Sequence, residues 1–169
     1  MPARMSVGIV VEHRRLGGLW QPDRWNVIEA LPGRPTAAPW TLLGEGPGFR
    51  RYYAGAVELE LFPGETEGYR DNLTSSRPAI WVILRRSGGG SGVAILTATV
   101  DAGEIEAHSD SGDDLVEAVP LPAAVAAWMR DFVDRHHVER PFYKRQRDRA
   151  DLEALALHRH GPGRKRADD

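Results

Sequence analysis

The chain has 169 residues and no cysteine. Disulfides, thiolate metal sites, iron–sulfur ligation and cysteine nucleophiles are thereby excluded. No stretch approaches the roughly 20 apolar residues that span a bilayer. The opening MPARMSVGIVVEHRR has a short apolar run that ends at Glu12. That run falls below the roughly 7–15 residues of a signal-peptide core. The expectation is a cytoplasmic protein with no membrane segment. Charge of one sign is also lacking, because the formal net charge is −2. The total therefore draws the chain neither to nucleic acid nor to a membrane surface.

What charge there is falls unevenly. Asp101 to Glu117 holds seven acidic residues and no Lys or Arg. Arg130 to Arg166 holds eleven Arg or Lys against six Asp or Glu. These stretches could attract each other or face partners.

Motifs with strong chemical meaning are missing as well. The six histidines show no HExxH spacing. His158 and His160 are two apart, and His136 and His137 are adjacent, so neither pair shares a helix face. No metal site is expected. Ser87 to Gly92 reads SGGGSG, without the Lys–Ser/Thr of a phosphate loop and before a strand rather than a helix. It reads as a hairpin loop. No nucleophile elbow is present, and no catalytic residue is assigned.

The pattern that is present is that of a small sheet protein. Val7 to Val11 reads as a buried first strand, Trp25 to Leu31 as a second and Trp40 to Leu43 as a short third. Pro32, Gly33, Pro35 and Pro39 punctuate the loop between the last two. In Arg50 to Phe62, Tyr53, Val57, Leu59 and Leu61 fall on odd positions with glutamates between, an antiparallel strand with one wet face. Ala79 to Leu84 is continuously apolar and reads as a central strand, with Val93 to Val100 its hairpin return. Glu104 to Ser109 reads as a short strand or extended segment, followed by an acidic loop from Asp110 to Asp114.

Between the strand that ends at Phe62 and the one that starts at Ala79 lies a compact polar connection. If Gly64 to Leu73 is helical, Phe62, Thr66, Tyr69 and Leu73 share one side, and Glu65 and Glu67 lie off it. That spacing tucks Tyr69 and Leu73 into the core and makes the glutamates a poor acid–base pair.

Pro122 suits the first turn of a helix to His137, with Val125, Trp128, Met129, Phe132, Val133 and His136 as its apolar stripe. Pro141 separates it from a charged, basic helix over 141–160, and 161–169 reads as a disordered tail. The expected architecture is α+β: a mostly antiparallel twisted sheet or partial barrel of about six strands with two C-terminal helices. Residues 1–140 would form the sheet domain.

Two segments carry a family resemblance. One is ELELFPGETEGYRDNLTSSRPAIWVILRR, through Glu65, Thr66, Glu67, Tyr69, Asn72, Leu73, Pro78, Leu84 and Arg85. The other is VPLPAAVAAWMRDFVDRHHVERPFYKRQRDRADLEAL, through Pro122, Trp128, Phe132, Val133, His137, Pro141, Phe142, Lys144, Arg145 and Arg147. Together they resemble a bacterial family of unknown function found beside genes of molybdenum-dependent formate dehydrogenase. Some members are labelled molybdopterin-guanine dinucleotide biosynthesis protein A. A nucleotidyltransferase of that kind would open on a strand, a glycine-rich loop and alternating helices. SVGIVVEHRRLGG has no such loop, so the label is not carried over.

The resemblance implies a non-catalytic accessory or maturation protein for that dehydrogenase, acting by protein binding and without a cofactor. The expected contacts are Glu65, Glu67, Arg70 and Asn72 on the connection and Lys144, Arg145 and Arg147 on the basic helix. An alternative is a molybdopterin-nucleotide-binding enzyme or carrier, with the basic residues on phosphates and the glutamates on a metal ion. A second alternative is nucleic-acid binding through the basic helix, which the overall charge disfavours.

Overall fold

The computed structural model describes residues 1–15, 17, 23–33, 35–86, 92–109 and 114–138. Seven strands form two antiparallel sheets among them. β1 (Ala3–Arg14), β2 (Arg24–Pro32), β3 (Thr41–Gly46) and β4 (Phe49–Leu61) make the first, in the order β2-β1-β4-β3. β5 (Ala79–Arg86), β6 (Val93–Thr99) and β7 (Asp114–Pro120) make the second, in the order β6-β5-β7. The helices are α1 (Thr66–Thr74), the one-turn α2 (Glu106–Ser109) and α3 (Ala123–His136). The α+β expectation holds, and the sheets remain open rather than closing into a barrel.

One core joins both sheets. Val7, Ile9 and Val11 of β1, Leu59 and Leu61 of β4, and Ile80, Val82 and Leu84 of β5 are fully buried in it. Val125, Met129, Phe132 and Val133 of α3 close it, together with Tyr69 of α1. These α3 positions repeat at spacings of three and four, so a single stripe meets the sheets. β5 is central in its sheet, which is why its apolar run is continuous.

β4 departs from strict alternation. Its register against β1 slips between Ile9 and Val10, so Ile9 faces Gly55, Val10 faces Tyr53 and Ala54 is left over. Gly55, at φ 128, takes the backbone turn that this bulge requires. One extra residue inverts the phase. Val57, Leu59 and Leu61 face the core below the bulge, while Tyr52 and Ala54 face it above. Tyr53, expected on the face of Val57, lies instead with Val10 on the opposite side.

The segment Glu104–Ser109 is helical, not extended. The Asp101 carboxylate accepts a hydrogen bond from Gly103 N at 2.9 Å and caps a 3-10 turn at Ala102–Glu104, which leads into α2. This local bond competes with strand pairing. β7, the last strand, instead pairs with β5 from Arg85↔Asp114 to Ala79↔Pro120. Residues 141–169, including the expected basic helix and tail, lie outside the described residues.

The outer face of the first sheet holds a buried acid. Glu12 is 5% exposed and accepts from Arg14 Nη2 at 2.9 Å and Arg51 Nε at 2.9 Å. Both guanidiniums also sit over the Phe49 ring, 5.5 and 5.3 Å from its centroid. Burial alone would push the Glu12 carboxyl up. The bonds from Arg51 and Arg14, with their charges, outweigh it and hold the group below its ordinary value of 4.5. A lowered acid stabilises the fold above its unfolded-state pKa, and that contribution is lost as pH falls through the folded-state value. Glu12→Gln is therefore expected to cost about 1–3 kcal/mol near neutral pH. The deficit should shrink in acid, where the wild type is protonated too. Urea unfolding at neutral and acidic pH measures both, and a pH-independent deficit would contradict the ionic account.

Candidate functional site

α1 follows β4 through Phe62 and a 3-10 turn at Pro63–Glu65, with proline in the first turn where a missing N–H does no harm. Thr66, Tyr69 and Asn72 recur every three residues and form the buried side of the helix. Leu73 is partly buried against the same core, as its spacing predicts. The Tyr69 hydroxyl accepts from Phe62 N at 2.9 Å, and its ring meets Phe132 of α3 edge-on at 6.2 Å.

Asn72 is placed inside, 5% exposed. Its amide nitrogen donates to Ala79 O at 2.8 Å and to Val100 O at 2.9 Å. Its carbonyl accepts from Ala79 N at 3.0 Å. One carboxamide thereby ties α1 to the start of β5 and to the residue that follows β6.

His137, at the end of α3, fastens the first part of α1. Its Nε2 lies 3.2 Å from Arg70 Nη1, and its Nδ1 lies 3.1 Å from Thr66 Oγ1. A guanidinium can only donate, so Nε2 is the acceptor. The neutral ring then carries its proton on Nδ1 and donates to Thr66.

Glu65, Glu67 and Asp71 remain exposed. They border a hollow of 640 Å³ together with Asn72, Arg77, Trp81 and Asp101. The structure thus brings Glu65 and Glu67 to one rim, with Asn72 as its support, while Arg70 turns to His137. Lys144, Arg145 and Arg147 lie outside the described residues.

A second concavity was not singled out by the sequence. It measures 830 Å³ and opens where β4 begins, lined by residues that include His13, Arg15, Trp25, Trp40, Arg50 and Tyr52. His13 of β1 stacks on Trp25 of β2 with centroids 4.3 Å apart, and its Nε2 lies 2.9 Å from Asp23 Oδ2. Trp40 meets Trp25 and Tyr52 at 6.0 Å each. The signal was present in tryptophans near the starts of β2 and β3. Their cross-strand meeting needed the register of three strands. His13 pairs with Trp25 across β1 and β2, and Leu42, two residues after Trp40, pairs with Tyr52 across β3 and β4.

Among the described residues no group of three or more His, Asp or Glu is placed to hold a metal ion. No described helix is long and apolar enough to cross a membrane.

The fold defines a small α+β protein built from two open antiparallel sheets. The sequence model of a family described as a protein of unknown function (DUF3305) matches residues 6–146, and the chain belongs to that family. No curated protein and no solved structure matches the chain.

Proposed function

We propose that this protein is a non-catalytic accessory or maturation protein for a molybdenum-dependent formate dehydrogenase, acting by protein binding in the cytoplasm. The resemblance supplies the enzyme. The contact rests on one observation: α1 offers Glu65, Glu67 and Asp71 from a helix whose opposite side is held by Tyr69, Asn72 and His137. A surface fixed in this way loses little conformational freedom on binding. Its carboxylates suit a basic segment of the partner, and a second contact falls to Lys144, Arg145 and Arg147.

The test is the double variant Glu65→Lys, Glu67→Lys in the full chain. Both residues are exposed, so stability should change by no more than about 0.5 kcal/mol. Affinity for the dehydrogenase or its accessory protein should fall by roughly tenfold or more, since like charges then face each other. Co-purification from the native host reads the outcome. If neither this variant nor Lys144→Glu, Arg145→Glu, Arg147→Glu loses the partner, protein binding through these surfaces is wrong.

A further inference from the structure

We propose that the concavity at the Phe49 end of β4 binds a planar heteroaromatic ring bearing an anionic group, the chemistry of a nucleoside phosphate. Its 830 Å³ lies within the roughly 300–1,000 Å³ typical of small-molecule sites. The aromatic wall is preformed. Trp25 is covered by the His13 ring and by Gly92, whose φ of 108 brings its backbone against the indole so closely that a Cβ would clash. Trp40 is different. It lines the cavity, keeps 37% of its surface exposed and braces against Trp25 and Tyr52. It is the ring that an incoming ring can cover.

Trp40 also has φ 67, a left-handed conformation that bulky side chains avoid. Glycine or asparagine would sit there with less strain, and packing of the main core does not require an indole at this exposed position. Local strain of this kind gathers at ligand sites.

Two guanidiniums, Arg15 and Arg50, line the cavity beside two carboxylates that already have partners. Asp23 is held by His13 at 2.9 Å, and Glu45 by Arg50 Nε at 3.2 Å. Arg15 lines the same cavity, is exposed, and has no ion-pair partner among the described residues. A ring stacked on Trp40 and a phosphate on Arg15 and the terminal nitrogens of Arg50 would use both halves of the site.

This site is separate from α1. β4 has 13 residues, which span about 40 Å, and the two concavities lie at its opposite ends. Failure of one reading therefore leaves the other standing.

The experiment titrates the full chain with AMP and GMP, followed by tryptophan emission and calorimetry. Adenosine, guanosine, inorganic phosphate and an oligo-dT strand are further arms. At least one nucleotide should bind saturably below about 1 mM. Trp40→Ala should weaken binding roughly tenfold or more. Arg15→Glu removes an exposed cation, without an ion-pair partner among the described residues, and does not touch the aromatic wall. It should weaken the nucleotide roughly tenfold and leave the nucleoside unchanged. Tighter binding of the strand with a steep salt dependence makes the ligand a nucleotide within a chain, whereas equal or weaker binding makes it the free nucleotide. No saturable binding by either nucleotide or the strand, or binding indifferent to both variants, overturns the proposal.

Discussion

Replacing Asn72 by alanine should lower the unfolding free energy by about 3–5 kcal/mol. The truncation removes little volume. Its cost comes from what it leaves behind: Ala79 N, Ala79 O and Val100 O, each bonded to the carboxamide in the wild type. Each buried group that loses its partner costs about 1–3 kcal/mol, with some relief where water can enter. For a chain of this size the loss corresponds to roughly 10–15 °C in Tm. Asn72→Asp is the discriminating companion. It keeps the acceptor for Ala79 N but loses both donors and turns a carboxylate towards two carbonyl oxygens, so it should be no better than alanine. Thermal and urea unfolding measure both variants, and a loss below about 1 kcal/mol would mean that water replaces the carboxamide. The same variants should weaken partner binding through α1, because the helix that carries Glu65 and Glu67 would lose its anchor to β5.

Asn72 also shows where sequence reasoning stopped short. A polar residue in a polar connection reads as a surface contact. Its position three residues after Tyr69 was the counter-signal, since that spacing returns it to the buried side of a helix. Tyr69 and Leu73 were legible because their apolar character agreed with the spacing. What the side chain of Asn72 would bond to depended on the ends of β5 and β6, which are near in space and remote in sequence.

Most strands were legible for the same reason, although one sheet of about six strands was expected where seven strands form two. The apolar runs at Val7–Val11 and Ala79–Leu84 mark a buried first strand and a central strand, and both lie inside their sheets. The bulge at Ala54–Gly55 was not, because it appears only when β4 is laid against β1. β7 was hidden by its composition. Its inner face carries Glu117 between Leu115 and Val119, which breaks the alternation that would have announced a strand. Burial pushes the Glu117 carboxyl up, and the charge of Arg24 draws it partly back. The mouth around Trp40 was hidden more deeply, because its rings come from β1, β2, β4 and the residues before β3.

Tyr69→Ala should have an effect of similar size, about 3–5 kcal/mol, for a different reason. The ring is fully buried and edge-on to Phe132 at 6.2 Å, so truncation opens a cavity between α1 and α3. Tyr69→Phe separates the hydroxyl from the ring. It fills the cavity and leaves only Phe62 N without its acceptor, a loss of about 1–2 kcal/mol. The hydroxyl also sets an alkaline limit. Burial pushes its ionisation up to about 12. The bond from Phe62 N opposes the rise, and the charges of Glu104, Asp101 and Glu65 add to it. In the unfolded chain the same group ionises near 10. Between those values the folded state holds the proton more tightly, so the stability it contributes is lost as pH rises through that window. Tyr69→Phe should therefore lose less stability than the wild type between about pH 10 and pH 12, and the two curves should converge towards the alkaline end. Urea unfolding across that range follows the difference directly, and parallel curves would mean that the hydroxyl ionises as freely in the folded chain as in water.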